Sequence, residues 1–166
     1  MKAFSSLADI EALERRPLAE VAPHRTPYGL IRAAAERFPD REAFTFLHDA
    51  ELAREPRRVS YCELLAMVHR AANAFRALGI GPEDSVALLA PNTPEAHAAL
   101  WGAQLAGRVC PINTLLQPDH IASLMQAANA KVLVALGPNA ELDVWPTALT
   151  VQGLHPCALV PMKVVE

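Results

Sequence analysis

The chain is organised around LGIGPEDSVALLAPNTPEAHAALWGAQLAG, residues 78–107, in which a strand, a turn and a helix follow one another directly. Ser85 to Ala90 is a small and apolar run without alternation, which is typical of a strand covered on both faces of a parallel sheet. Thr93 is a good helix N-cap, and Pro94 suits the first helical turn because its missing N–H would have no partner there. The stretch therefore predicts a buried strand and then a helix that Gly107 ends.

The same signals predict further elements on both sides of this unit. Apolar residues at helical spacing predict helices over 27–38, 61–78 and 118–128, and short apolar runs predict strands at 109–112 and 131–136. Ser60 and Glu63 form a capping-box pattern at the start of the second of these helices. Phe44 and Phe46, followed by a charged loop over 49–57 and by Val59, predict a small antiparallel hairpin near residues 43–60.

Two consecutive right-handed crossovers between 85 and 136 predict an α/β fold, a mostly parallel sheet flanked by helices. We divide the chain into an irregular leader over 1–25, an α/β portion over 26–145 and an unassigned tail over 146–166. The leader allows a short helix over 7–16, and in the tail only 162–165 suggests a strand. Ligands of parallel sheets gather at the carboxyl ends of strands, which directs attention to the turns at 91–93, 113–117 and 137–139.

Composition excludes several classes of function. With 15 basic and 18 acidic side chains, the chain has no field that would attract nucleic acid. Cys62, Cys110 and Cys157 match no disulfide framework or zinc spacing, which favours a reducing cytoplasm, and we interpret Cys62 and Cys110 as small core side chains rather than nucleophiles. The charged N-terminus is unlike a secretion signal, and the uncharged stretch 144–162 is interrupted by prolines, so we expect no membrane span.

Motifs in one order over about 26–136 resemble the N-terminal part of AMP-forming acyl-CoA synthetases, which are adenylate-forming enzymes. The motifs are Pro39-Asp40-Arg41 with Ala43-Phe44, Val59-Ser60-Tyr61-x-Glu63-Leu64, Leu78-Gly79-Ile80-Gly81-Pro82-Glu83-Asp84-Ser85-Val86-Ala87, Pro91-Asn92-x-x-Glu95, Gly102-Ala103-x-x-Ala106-Gly107, Pro111-Ile112-Asn113 and Ala130-Lys131. The resemblance implies the large domain of an acyl-CoA ligase. It also implies ATP, Mg²⁺ and coenzyme A as cofactors, a carboxylic acid of the fatty class as substrate, and a two-step reaction through an acyl adenylate.

The chain departs from that family by what it lacks. Members carry a Ser/Thr/Gly-rich phosphate loop ending in Pro-Lys-Gly, an aromatic Thr-Glu motif, a ribose-binding aspartate and a lysine in a small C-terminal domain. The seven glycines here never cluster into such a loop. We therefore assign this chain no catalytic residue, no metal ligand and no bound cofactor, and we expect the 166 residues alone to be inactive, as a natural truncation or a fragment of the enzyme.

Only Asn113 and Thr114 are singled out as a candidate binding site. They follow a predicted strand end, where the family places the wall of the acyl or coenzyme A passage, although plain turn chemistry explains both residues too. Two other functions stay open: a non-catalytic interaction module that docks through an exposed sheet edge, and a free-standing nucleotide-binding domain. The acyl class stays open, and a homo-oligomer is compatible with these residues.

Overall fold

The structure is a computed structural model that describes residues 5–47, 55–139 and 142–164. Its elements, in chain order, are α1 (Leu7–Glu14), α2 (Leu18–Val21), α3 (Pro27–Arg37), β1 (Glu42–Phe46), β2 (Arg57–Ser60), α4 (Tyr61–Ala77), β3 (Ser85–Leu89), α5 (Pro94–Ala106), β4 (Arg108–Pro111), α6 (Pro118–Ala127), β5 (Ala130–Leu136), α7 (Val144–Leu154) and β6 (Ala158–Met162). Most of the loop predicted over 49–57 lies outside the described residues.

Four strands form a parallel sheet in the order β4-β3-β5-β6. The predicted parallel arrangement of the three apolar runs is confirmed. All residues of β3 are buried, as are all residues of β5 except Lys131, so the sheet has the two-sided cover that unbroken apolar strands require. The connection from β3 to β4 crosses the sheet in one direction, and the connections from β4 to β5 and from β5 to β6 cross it in the opposite direction. Because such connections are right-handed, α5 lies on one face of the sheet, and α6 and α7 lie on the other.

Helix starts follow the predicted caps. The hydroxyl oxygens of Thr26, Ser60 and Thr93 accept hydrogen bonds from the backbone N–H groups of Gly29, Glu63 and Ala96. At Ser60 the capping box is complete, because a carboxylate oxygen of Glu63 accepts the N–H of Ser60 at 2.8 Å. These local bonds explain why the helix starts can be read from sequence.

The antiparallel hairpin of β1 and β2 is also confirmed. It belongs to a second apolar cluster, separate from the sheet core, built on Val59, Leu64 and Val68. Tyr28 and Ile31 of α3 and Trp101 and Leu105 of α5 pack against this cluster. The cluster thereby holds α3, the hairpin, α4 and α5 together outside the sheet.

The two ends of the chain contain more secondary structure than the sequence predicts. The leader contains α1, which confirms the short helix, followed by α2; neither helix has a buried residue. In the tail, α7 is a full helix, and the strand lies at Ala158–Met162, whereas the prediction covered 162–165, of which 163 and 164 are not in a strand and 165 lies outside the described residues. The carbonyl oxygen of Met162 accepts the N–H of Gly137 at 2.9 Å, so alternation along the strand turns Pro161 away from β5, where its missing N–H costs no bond of the ladder.

Helices α4 and α5 approach each other closely at Gly102. A Cβ added there would lie 2.5 Å from the Cβ of Ala71 and 2.9 Å from the backbone nitrogen of Ala72. Because one of these atoms is backbone, a side chain at position 102 requires the two helices to separate. Gly102 therefore sets the distance between α4 and α5.

The substitution Gly102→Ala should lower the free energy of unfolding by about 1–3 kcal/mol, because overpacking forces backbone shifts. Gly153→Ala is the matched control: Gly153 is also helical, but a Cβ there meets nothing within 4 Å. The control should gain about 0.4–1 kcal/mol from the reduced entropy of the unfolded chain. Urea unfolding of both variants measures the difference, and equal changes would contradict the role of Gly102.

An ion pair joins the beginning of β5 to the loop that precedes β3. Lys131 Nζ lies 2.6 Å from Asp84 Oδ1, and Asp84 Oδ2 accepts the N–H of Gly81 at 2.9 Å. The hydrogen bond from Lys131, followed by that from Gly81, lowers the pKa of the Asp84 carboxyl below its ordinary value of 3.8. This carboxylate consequently stabilises the folded state above that pH and loses its contribution as the pH falls through the lowered pKa.

Lys131→Met should reduce thermal stability at pH 7, because Asp84 loses its charged partner. The loss relative to wild type should shrink below about pH 4, where Asp84 becomes protonated in the unfolded chain. Melting curves between pH 7 and pH 3 measure this dependence. Lys163→Met serves as control, since Lys163 is exposed and forms no ion pair with the described residues; a pH-independent loss at position 131 would contradict the role of the pair.

Candidate functional site

The carboxyl ends of the parallel strands meet at one edge of the sheet. The registers pair Leu88 with Pro111 and Leu136 with Met162, and the N–H of Ile112 donates to the carbonyl of Leu88 at 2.9 Å. The three turns that sequence reasoning singled out, at 91–93, 113–117 and 137–139, therefore lie along the same edge. This is the position where ligands of such sheets are bound.

Asn113 and Thr114 lie on this edge directly after β4. Asn113 is exposed and Thr114 is half-buried. The Asn113 side-chain oxygen accepts the N–H of Leu115 at 3.0 Å, which is an Asx turn. The Asn113 side chain thus stabilises the turn, and the residue is also exposed at the carboxyl edge of the sheet.

The turn after β3 is tied to the hairpin. Thr93 is buried at the start of α5, and the ring of His97, one turn further on, stacks on Phe44 of β1 with centroids 5.2 Å apart. Glu95 Oε1 lies 2.6 Å from Arg57 Nη1 of β2. Sequence reasoning assigned Glu95 to the dipole of its helix; the structure adds an ion pair that connects α5 to the hairpin.

A groove of about 570 Å³ lies between α4, α5, the hairpin and strand β6. We call it the α4–β6 groove. Its apolar floor and walls include Met67, Ala71, Ala74, Phe75, Ala98, Ala99, Val134, Val160 and Met162. The groove therefore occupies the α5 side of the sheet at β5 and β6.

Charged side chains surround the apolar surface of the α4–β6 groove: Arg57, Arg58, Glu63, Arg70 and Glu95. The Glu63 carboxylate is held by Ser60, whose backbone N–H and hydroxyl lower the pKa of Glu63. Glu95 Oε2 is buried and accepts no hydrogen bond from the part of the chain that the structure describes. A buried carboxylate oxygen without a donor is costly, so this atom marks a point where the groove lacks a polar partner.

Other reactive side chains have ordinary environments. Burial raises the pKa of Cys110 and Cys157, as expected for core thiols, whereas Cys62 is exposed on α4, which corrects its interpretation as a core residue. Position 62 lies on the first turn of α4, outside the apolar face that Leu64, Val68 and Phe75 bury. Within the described ranges, no three His, Cys, Asp or Glu side chains are grouped to hold a metal ion.

Sequence reasoning did not find the α4–β6 groove. Its walls come from residues 57–99 and its floor from 134–162, so it exists only once β6 is paired with β5. One pattern in the sequence indicates this surface. Met67, Ala71 and Ala74 lie at helical spacing beside the core positions of α4, so the apolar face of α4 is wider than packing against a single neighbouring element requires.

Comparison with known proteins identifies the family. The sequence matches the AMP-binding enzyme family over residues 31–162. The chain belongs to the AMP-binding enzymes. It is 33% identical over 147 residues to marinolic acid–CoA ligase of Pseudoalteromonas sp. (strain SANK 73390), a match that covers 89% of this chain and 22% of that protein. It is 36% identical over 86 residues to long-chain-fatty-acid–CoA ligase FadD13 of Mycobacterium tuberculosis, which covers 51% of this chain and 17% of that protein.

Solved structures support the same assignment. A fatty acyl CoA synthetase of Mycobacterium tuberculosis superposes with a TM-score of 0.65 at 25% identity, over 81% of this AMP-binding chain and 26% of that one. The N-terminal domain of FACL13 from the same organism shares the fold, with a TM-score of 0.65 at 23% identity over 83% and 34% of the two chains. The resemblance to the N-terminal portion of acyl-CoA synthetases is thereby confirmed.

This AMP-binding chain matches only a part of each curated relative. It spans about a fifth of the length of the curated relatives, 22% and 17% in the two matches above. Among the helices that the structure describes, none combines the length and the apolar character needed to cross a bilayer.

Proposed function

We propose that this chain forms the opening α/β layer of an AMP-forming acyl-CoA ligase. The complete enzyme activates a carboxylic acid, of the fatty class, with ATP and Mg²⁺ to an acyl adenylate and transfers the acyl group to coenzyme A. The observation that carries the proposal is the family match over residues 31–162, which coincides with the parallel sheet and its helices. Cysteines 62, 110 and 157 are free thiols, which supports a cytoplasmic location.

The phosphates and the metal require groups that the described residues of this chain do not bring together. Transfer at the α-phosphate needs donors around the phosphates, a metal ligand and a cation for the developing charge. The described residues offer no metal-ligand group, and the glycines of the chain never cluster. We therefore assign those tasks to other parts of the complete enzyme and give this chain a positioning role through its carboxyl edge.

The isolated 166-residue chain should release no pyrophosphate from ATP, because it lacks the residues that would hold the phosphates. The measurement is a pyrophosphate-release assay with Mg²⁺, coenzyme A and a panel of fatty and aromatic acids. Turnover above a heat-denatured control would refute the assignment of the chemistry to other parts of the enzyme.

A hybrid enzyme tests whether this chain can take part in the reaction. In the hybrid, residues 31–162 replace the matching segment of marinolic acid–CoA ligase. A folded hybrid should release pyrophosphate with the acid that its parent uses, since the parent supplies the phosphate-binding residues. A hybrid that melts cooperatively but has no activity would count against the ligase proposal.

We also propose that Asn113 and Thr114 contact substrate at the acyl or coenzyme A passage. In the hybrid, Asn113→Asp keeps the acceptor for the Leu115 N–H but removes the amide donors, so the turn survives. We expect kcat/KM to fall by roughly tenfold, the loss of about one hydrogen bond, with an unchanged melting temperature. Thr114→Val should act in the same direction.

A turn-only role has a different signature. Asn113→Asp would then match the wild type in kcat/KM, while Asn113→Ala, which removes the acceptor for Leu115, would lower the melting temperature. That pair of results would contradict the binding role of Asn113.

A further inference from the structure

We propose that the chain forms a symmetric dimer through the outer surface of α6 and α7. This surface, which we call the α6–α7 face, consists of exposed Leu124, Ala127, Pro146, Leu149, Thr150 and Gly153. The partner is a second copy of the same chain, placed so that the two α7 helices run antiparallel across a twofold axis. The inference goes beyond the proposed function and does not depend on it.

The first argument is the lack of charge on a helix layer that faces outward. A surface helix ordinarily carries charged residues on the side opposite the core, as α4 does at exposed Glu63, Arg70 and Arg76. In the layer of α6 and α7, by contrast, the sequence has no ionisable side chain over 121–130 or over 144–154. Leu124 and Leu149 instead leave 44% and 49% of their surface exposed. This composition is typical of a surface that another molecule covers.

The second argument is that polar side chains of the same layer bond to the chain itself. The hydroxyl groups of Ser123 and Thr150 each donate to the backbone carbonyl four residues earlier, at 2.9 Å and 3.1 Å. The side-chain amide of Gln152 donates to the carbonyl of Cys157 at 3.1 Å. Burial costs a polar group little once its hydrogen bond is formed within the protein. The α6–α7 face can therefore lose its water at low cost.

The third argument identifies the partner as a second copy. A twofold interface brings a surface against itself, so a charged face would meet like charges. The α6–α7 face is neutral, and the ionisable residues beside it, Asp119, His120 and Asp143, lie where α6 and α7 begin. Leu149 is the middle residue of α7, so antiparallel pairing places it beside its own counterpart. A lipid surface is disfavoured, because interfacial helices carry Lys and Arg rather than flanking aspartates.

The fourth argument concerns layers and size. Domains are built from two or three packed layers, and α6 and α7 already cover this side of the sheet, so the exposed leucines lie outside a finished layer. The two helices contribute 10 and 11 residues per copy, of which only the outer ones are available. The interface is therefore smaller than the standard of about 800 Å² per partner. We expect a dimer with a Kd of roughly 10–100 µM.

Sedimentation equilibrium of the 166-residue chain, at loading concentrations from about 5 to about 500 µM, should fit a monomer–dimer equilibrium. Leu149→Arg places like charges beside each other and should raise the Kd by about tenfold or more. Leu18→Arg is the matched control, because Leu18 is also an exposed helical leucine but lies in α2. Ala74→Arg controls for association through the α4–β6 groove. Both controls should keep the Kd of the wild type.

A mixture of oppositely charged variants tests the twofold geometry. Leu149→Glu alone should weaken the dimer as Leu149→Arg does. An equimolar mixture of the two should associate more tightly than either variant alone, because opposite charges then meet at the axis. Melting curves at about 5 µM, where the chains are monomeric, should match the wild type and exclude misfolding as the cause.

Several results would overturn the inference of a dimer: a wild-type chain that stays monomeric at about 500 µM, equal Kd values for Leu149→Arg and Leu18→Arg, a dimer that only Ala74→Arg dissociates, or oppositely charged variants that fail to associate when mixed. Binding to phosphatidylcholine vesicles that Leu149→Arg abolishes, without self-association, would assign the face to a membrane instead. Pyrophosphate release by the hybrid enzyme decides the ligase proposal independently of all these results.

Discussion

Strand β3 is the element on which the rest of the structure depends. It is hydrogen-bonded to β4 on one side and β5 on the other, and all five of its residues are buried. A strand in this position has no polar face, so it needs a helix layer on each side of the sheet. The reversal of direction after β4 meets this need, because right-handed connections then carry α5 to one face and α6 and α7 to the other.

Small residues determine how closely the first helix layer fits. Alanines 96, 99, 103 and 106 of α5 are buried in the sheet core, and Gly102 allows the backbone of α4 to approach. The close approach lets α4 lie over α5 and contribute Phe75 to the sheet core while Leu64 and Val68 join the hairpin cluster. One pair of helices thus connects two hydrophobic clusters. The Arg57–Glu95 ion pair strengthens the same connection from the rim.

The α4–β6 groove follows from the same arrangement. Because α5 covers the sheet mainly at β3 and β4 and α4 lies over α5, the face over β5 and β6 is left to the groove. Its floor is apolar, and at its rim Glu95 Oε2 accepts no hydrogen bond from the residues that the structure describes. The carboxyl edge carries exposed Asn113 and half-buried Thr114, the two residues that we propose to contact substrate.

Local signals were sufficient for much of the fold. Thr93-Pro94, the Ser60–Glu63 capping box and the apolar run at 85–90 each act within a few residues, and the structure places their elements as predicted. The family could also be recognised, because its motifs lie in one order along the chain. The position of the strand in the tail was predicted wrongly. Pro161 is compatible with a strand only when its nitrogen faces away from β5, and no neighbouring residue indicates that direction.

The sequence by itself thus determined the buried strands, the helix starts, the parallel class of the sheet and the family. Only the tertiary structure decided the pairing of β6 with β5, the Arg57–Glu95 contact and the groove. The physical reason is range: caps and periodicity act between residues a few positions apart, whereas these features join residues tens of positions apart whose proximity depends on the assembled sheet.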